Sequence, residues 1–200
     1  MTDSTDETPY VLPSTTEESH RLEAQAARLY GGTAFLEPFL RDEPRRVLEV
    51  GCGTGFFSRF VAERLEEAEV VGMDPSPERL RFARTRAACP NLTLEEGSVE
   101  EIPFEADRFD LVFSRFVLIH VRDLEGALRE MARVARPGGR VVAYDLVHEG
   151  IWFSPTKPAF AAVLDAVVEV MRHRGLDPSQ GIHLATGMVR AGLRDVRAEA

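Results

Sequence analysis

Short β-rich runs alternate with amphipathic stretches along most of this chain, and that alternation limits the fold more than any other property of the sequence. Arg46-Val47-Leu48-Glu49-Val50 stops at Gly51, and residues 56–67 follow with Phe57, Phe60, Val61 and Leu65 on one helical face. The same order returns with Val70 to Met73 then 77–88, and with Leu92 to Leu94 then a turn. It returns again with Phe109 to Ser114 then 123–135, and with Arg140 to Leu146 then 157–173. Strands separated by helices need crossover connections, which predicts an α/β fold: a doubly wound, mostly parallel sheet with helices on both faces. No fixed-period repeat accompanies the pattern, which excludes a solenoid. Leu193 to Ala200 reads as a sixth strand without a partner, so the C-terminal sheet edge is expected to be incomplete.

Ahead of the first strand, residues 1–15 are rich in Thr, Ser, Asp and Pro and show no period. Leu22, Ala26, Leu29 and Tyr30 then recur at helical spacing, predicting a helix over 16–30 that Gly31-Gly32 ends, with a second short one over 33–41. The expected organisation is an N-terminal segment and helical lid over 1–42, followed by the main domain over 43–200. The composition, 44% apolar and 28% charged over 200 residues, suits one soluble globular unit. No stretch approaches the ~20 apolar residues of a membrane span, and the acidic start lacks a leader profile, so the expected location is the cytoplasm, away from membranes. Cys52 and Cys89 make no CxxC, and no metal site is expected. Of the net charge of −9, five acids and no base lie in residues 1–18, leaving −4 on the other 182 residues. The chain thus lacks the clustered basic charge that nucleic-acid binding needs; Arg79, Arg81, Arg84 and Arg86, with Glu78, read as a solvated helix face.

In an open parallel sheet, ligands bind beyond the carboxyl ends of the strands. The first such point is Glu49-Val50-Gly51-Cys52-Gly53-Thr54-Gly55, where glycines let the backbone turn sharply and approach a ligand ahead of a helix N-terminus. Phe56 stands where the dinucleotide fingerprint needs glycine, and no Gly-Lys-Ser/Thr closes a phosphate loop. The second strand ends at Asp74, twenty-three residues after Gly51. A carboxylate roughly 20 residues beyond such a turn can accept from both ribose hydroxyls. The same Asp74-Pro75-Ser76-Pro77 string also suits a helix cap. Together, turn and acid point to an adenosine-type cofactor.

Val47 to Gly55, Val71-Gly72-Met73-Asp74, Glu100 to Phe104, Phe109 to Ser114 and Arg136-Pro137-Gly138-Gly139, in that order, resemble the class I S-adenosylmethionine-dependent methyltransferases of the bacterial small-molecule type. The resemblance spans about 45–146 and implies a Rossmann-like domain with S-adenosylmethionine as cofactor. By position it implies that Glu49, Gly51, Gly53 and Gly55 surround the methionyl part and that Asp74, with Pro75, holds the ribose. Ser98, Val99 and Glu100 would lie beside the adenine, although family members usually carry Asp at the position of Ser98. Ser114, Arg115 and Phe116 would line the far side. Tyr10, Arg21 and Gln25 resemble the lead-in residues that close over the cofactor.

Methyl transfer from a sulfonium is an in-line displacement that a protein accelerates by alignment and exclusion of water. A hydroxyl nucleophile would add the need for a base, for which the sequence offers His120, His148, and Tyr144 with Asp145. Trp152, Phe153, Phe160 and Met171 follow the fifth strand and suit a small-molecule acceptor that is apolar or aromatic, although core packing explains Phe160 and Met171 equally well. An unfinished sheet edge can take a strand from a second copy, so a homodimer is among the expected partners. A non-catalytic relative that keeps the fold, a nicotinamide dehydrogenase and an RNA or protein methyltransferase are the alternatives.

Overall fold

The computed structural model describes residues 15–28, 32–151, 154–155 and 157–199. Its elements run α1 (Thr16–Arg28), α2 (Glu37–Leu40), β1 (Arg46–Val50), α3 (Phe56–Arg64), β2 (Glu69–Asp74), α4 (Pro77–Arg84) and β3 (Leu92–Glu96). They continue with β4 (Phe109–Arg115), α5 (Leu124–Val134), β5 (Ala135–Tyr144), α6 (Pro158–His173) and α7 (Leu184–Arg190), with single 3-10 turns at Leu118–His120, His148–Gly150 and Gln180–His183. The five strands form one sheet in the order β3-β2-β1-β4-β5, every pair parallel. Winding reverses between β1 and β4, so their carboxyl ends flank the crevice in which such sheets bind ligands.

Alternation along each strand sorts the core into two layers. Leu48 and Val50 of β1, Val71 and Met73 of β2, and Val112 of β4 face α5, with Leu128 and Met131 fully buried against them and Leu184 and Met188 of α7 alongside. Val47, Val70, Leu111 and Phe113 point the other way, against Phe57 and Val61 of α3 and against Leu36 and Leu40 at α2. Leu36 and Leu40 are wholly buried in that cluster. Ser76 caps α4 by accepting from the Arg79 N–H, and Asp123 caps α5 by accepting from Gly126.

Four sequence expectations change. Residues 193–199 are irregular, so the sixth strand is not formed, and among the described residues β5 has a sheet partner on one side alone. The short second helix shrinks to Glu37–Leu40 because 32–36 is spent in turns. Arg79 does not lie on a solvated face: its side chain is 8% exposed. Phe160 and Met171 also part ways, since Met171 is buried against Ile119 and Leu176 while Phe160 is 43% exposed.

Candidate active site

The glycine turn sits where sequence placed it, between β1 and α3. Gly51, Gly53 and Gly55 have φ of +70°, +54° and +72°, a region that costs side chains with a Cβ free energy. At Gly51 a Cβ would also collide with the Val117 side chain, whereas at Gly53 it would meet open space. Gly53 N–H donates to Asp74 Oδ2 at 2.8 Å, and Ser76 N–H donates to Asp74 Oδ1 at 2.9 Å. Asp74 is therefore aimed back at the turn. It is not the cap of α4, a part Ser76 takes. Burial raises the Asp74 pKa, opposed by the Arg79 guanidinium, 3.8 Å away, and by those two amides.

Glu49 is a second buried carboxyl at the same edge, 2% exposed. Ser58 of α3 donates to it, and both lie beside Gly72, where any Cβ would run into the Ser58 hydroxyl. Burial pushes Glu49 up to about 8, against the pull of the Ser58 hydrogen bonds; the charge of Asp74 adds to the rise and that of Arg115 opposes it. Two buried carboxyls beside a glycine turn that is open at Gly53 suit a ligand that brings positive charge, as S-adenosylmethionine does in its sulfonium and ammonium groups.

Across the crevice, Ser114 is 1% exposed within β4 and pairs with the neighbouring strands, so it caps no helix. The Arg115 guanidinium lies 4.8 Å from the Phe57 ring centre, 4.1 Å from that of Phe116 and 5.8 Å from that of Tyr144. Phe35 stacks on Tyr144 at 5.0 Å and extends the aromatic wall. Phe116 holds φ at +57°, a conformation that needs outside support in a bulky residue.

That support comes from distant segments. Asp145, just past β5, accepts from Ile119 N–H at 3.0 Å and from Leu146 N–H at 2.9 Å, and Gln180 donates to the carbonyls of Leu118 and Val121. Burial raises Asp145 to about 6 against those backbone donors. Asp145 thus fastens the turn after β4. The turn carries half-buried His120, whose pKa falls to about 4 through burial, the His148 charge and the Arg79 charge. His148 backbone N–H donates to the Pro178 carbonyl at 2.9 Å, and its pKa is lowered by burial. Its Nδ1 is buried with no hydrogen-bond partner among the described residues.

Beyond β3, Val99 is buried, Glu100 is exposed, and the Ser98 hydroxyl accepts from the Glu100 N–H at 3.3 Å. Pro75 is exposed. On α1, exposed Arg21 donates to half-buried Glu18 at 2.6 Å and to half-buried Gln25 at 2.8 Å. Tyr10, Trp152 and Phe153 lie outside the described residues. Sequence reasoning missed Arg79, Ser58 and Gln180, and also Glu23 on α1, which pairs with Arg59 of α3. Only Glu23 carried a local signal, an acid close to the apolar side of its helix.

Residues 48–143 match the family described as the methyltransferase domain. The chain is 40% identical over 105 residues to a demethylmenaquinone methyltransferase of Deinococcus radiodurans, covering 52% of this chain and 44% of that protein. It is 33% identical over 179 residues to a malonyl-[acyl-carrier protein] O-methyltransferase of Halorhodospira halophila, covering 82% and 60%. The chain thus spans less than two thirds of these relatives' lengths. Among solved structures, a SAM-dependent methyltransferase of Thermotoga maritima shares the fold, with a TM-score of 0.65 at 21% identity over 90% of this chain and 78% of that one. Residues 48–143, which hold the glycine turn, Asp74 and the β1/β4 switch point of the parallel sheet, form a class I S-adenosylmethionine-dependent methyltransferase domain.

Proposed function

We propose that this chain transfers a methyl group from S-adenosylmethionine to a small, apolar or aromatic acceptor. The observation that carries the reading is the convergence, at the β1/β4 switch point, of a glycine turn with open space at Gly53, the buried carboxyls of Glu49 and Asp74, and the aromatic rings around Arg115. When bound, S-adenosylmethionine supplies a methyl group made electrophilic by the sulfonium. In this reading Asp74 would accept from ribose hydroxyls, the Gly51–Gly55 backbone would bear on the methionyl part, and Ser98, Val99 and Glu100 would flank the adenine. Phe116, Tyr144 and Phe35 form the wall an acceptor ring would rest on, which accords with the quinone named in the Deinococcus relative.

For a hydroxyl acceptor, half-buried His148, just past β5 at the carboxyl edge of the sheet, would take the proton. His120 beside it is kept neutral over the physiological range, so no second charge opposes protonation of His148. The test is transfer of labelled methyl from S-adenosylmethionine to a panel of hydroquinones, phenols and carboxylic acids. Turnover confined to ring acceptors is expected. Turnover confined to carboxylic acids refutes the acceptor class, and cofactor binding without turnover on any of them favours a non-catalytic relative.

A further inference from the structure

The cofactor turn has an anchor outside the crevice that the proposed chemistry does not use. Arg59, one turn into α3, donates through Nη1 to the Thr54 carbonyl at 3.0 Å and through Nη2 to both oxygens of Glu23 on α1, at 3.1 and 3.2 Å. Arg86, on the chain just past α4, approaches the same carboxylate at 3.9 Å. Arg59 and Glu23 are only 15% and 14% exposed, so this pair is shielded from solvent far better than a surface ion pair. Thr54 sits between two glycines at positive φ, which makes the orientation of its carbonyl the hinge variable of the whole turn. One guanidinium therefore reads that orientation with one arm and the position of α1 with the other.

The inner anchor of the turn is the Gly53 amide on Asp74. A ligand that engages Asp74 shares its carboxylate with that amide, and the turn is held besides by the Cys52 N–H on the Met73 carbonyl at 2.8 Å and by Arg59 on Thr54. Among the described residues, the helix it reaches also buries Ser19 and Ala26, the latter in the core cluster, and sets the His20 ring against Phe82 at 5.1 Å.

We propose that Arg59 is a positioning residue which, through Glu23, couples docking of α1 to the cofactor-binding shape of the Gly51–Gly55 turn, so that each stabilises the other. This rests on the reading that the turn and Asp74 hold the cofactor. Coupling of this kind is reciprocal: cofactor tightens α1, and a loosened α1 weakens cofactor.

Calorimetry with S-adenosylhomocysteine, on Glu23→Gln, Arg59→Met and the double variant, tests it together with hydrogen exchange of residues 16–28. Each single variant is expected to bind about fivefold more weakly. The double variant should bind no more weakly than Arg59→Met, because both changes cut one connection. Ligand should slow exchange over 16–28 in the parent and not in Glu23→Gln, whose folding the removal of one charge leaves intact even where Arg59→Met does not fold. Affinity of Glu23→Gln within about twofold of the parent, multiplying effects in the double variant, or unchanged ligand protection of 16–28 in Glu23→Gln would each overturn the coupling. Asp74→Ala separates the two readings: weaker binding there with normal binding in Glu23→Gln sinks the coupling alone, and normal binding in both sinks the assignment of the turn.

Discussion

Replacing Glu49 by Gln should stabilise the free protein, and the gain should grow with pH. Glu49 is 2% exposed, and burial raises its pKa from the ordinary 4.5 to about 8. Because the folded value is the higher one, the folded state holds the proton more tightly than the unfolded chain. The stability this confers is complete below pH 4.5 and is lost as pH rises towards 8. One pKa unit corresponds to about 1.36 kcal/mol. At pH 7, two and a half units above the ordinary value, the parent has lost about 3 kcal/mol relative to a side chain that never ionises, and about 4 kcal/mol by pH 8. Gln keeps a carbonyl to accept from Ser58 and has no proton to lose. Urea unfolding of both proteins from pH 5 to 9 should give a difference under about 1 kcal/mol at pH 5 that climbs to about 3 kcal/mol at pH 7. Since all other titrating groups are shared, their contributions cancel in the difference. A difference that stays flat across this range would refute both the buried, protonated Glu49 and the proposal that the crevice awaits a cation. The stabilised variant should bind S-adenosylmethionine more weakly, an exchange of function for stability common at binding sites.

Asp74→Ala should weaken S-adenosylhomocysteine binding by about 1–3 kcal/mol in calorimetry, because buried hydroxyls would lose their acceptor. An unchanged dissociation constant in a folded variant removes ribose recognition from that residue. Gly51→Ala combines a positive φ with a collision against Val117 and should lower stability by at least about 1–3 kcal/mol in a thermal or urea melt. A normal melt would mean that the turn is laid out differently. With a hydroxyl acceptor, His148→Ala should lower kcat about 100-fold or more. In the parent, activity should fall on acidification below about pH 6.5, because burial places the His148 pKa under its ordinary value. A parent profile with no acid limb would exclude His148 as the base.

The local order of the chain was enough to establish the alternation of strands and helices, the parallel sheet, the tight turn at Gly51–Gly55 and the acid at Asp74. Each depends on spacing within a few residues or on a strand followed by a turn, and periodicity and glycine chemistry report these directly. The tertiary structure decided what the same side chains experience. Arg79 looks solvated in a row of arginines yet folds in against Asp74, and Glu49 looks like an ordinary carboxylate yet is sealed beneath Ser58 at a β2 glycine. His120 and His148, twenty-eight residues apart, meet because Asp145 and Gln180 pin the turn after β4, and Glu23 reaches Arg59 from thirty-six residues away. Burial and long-range partners are properties of the packed chain: a side chain's charge state depends on how much water the rest of the fold leaves around it, and no window of local sequence contains that quantity.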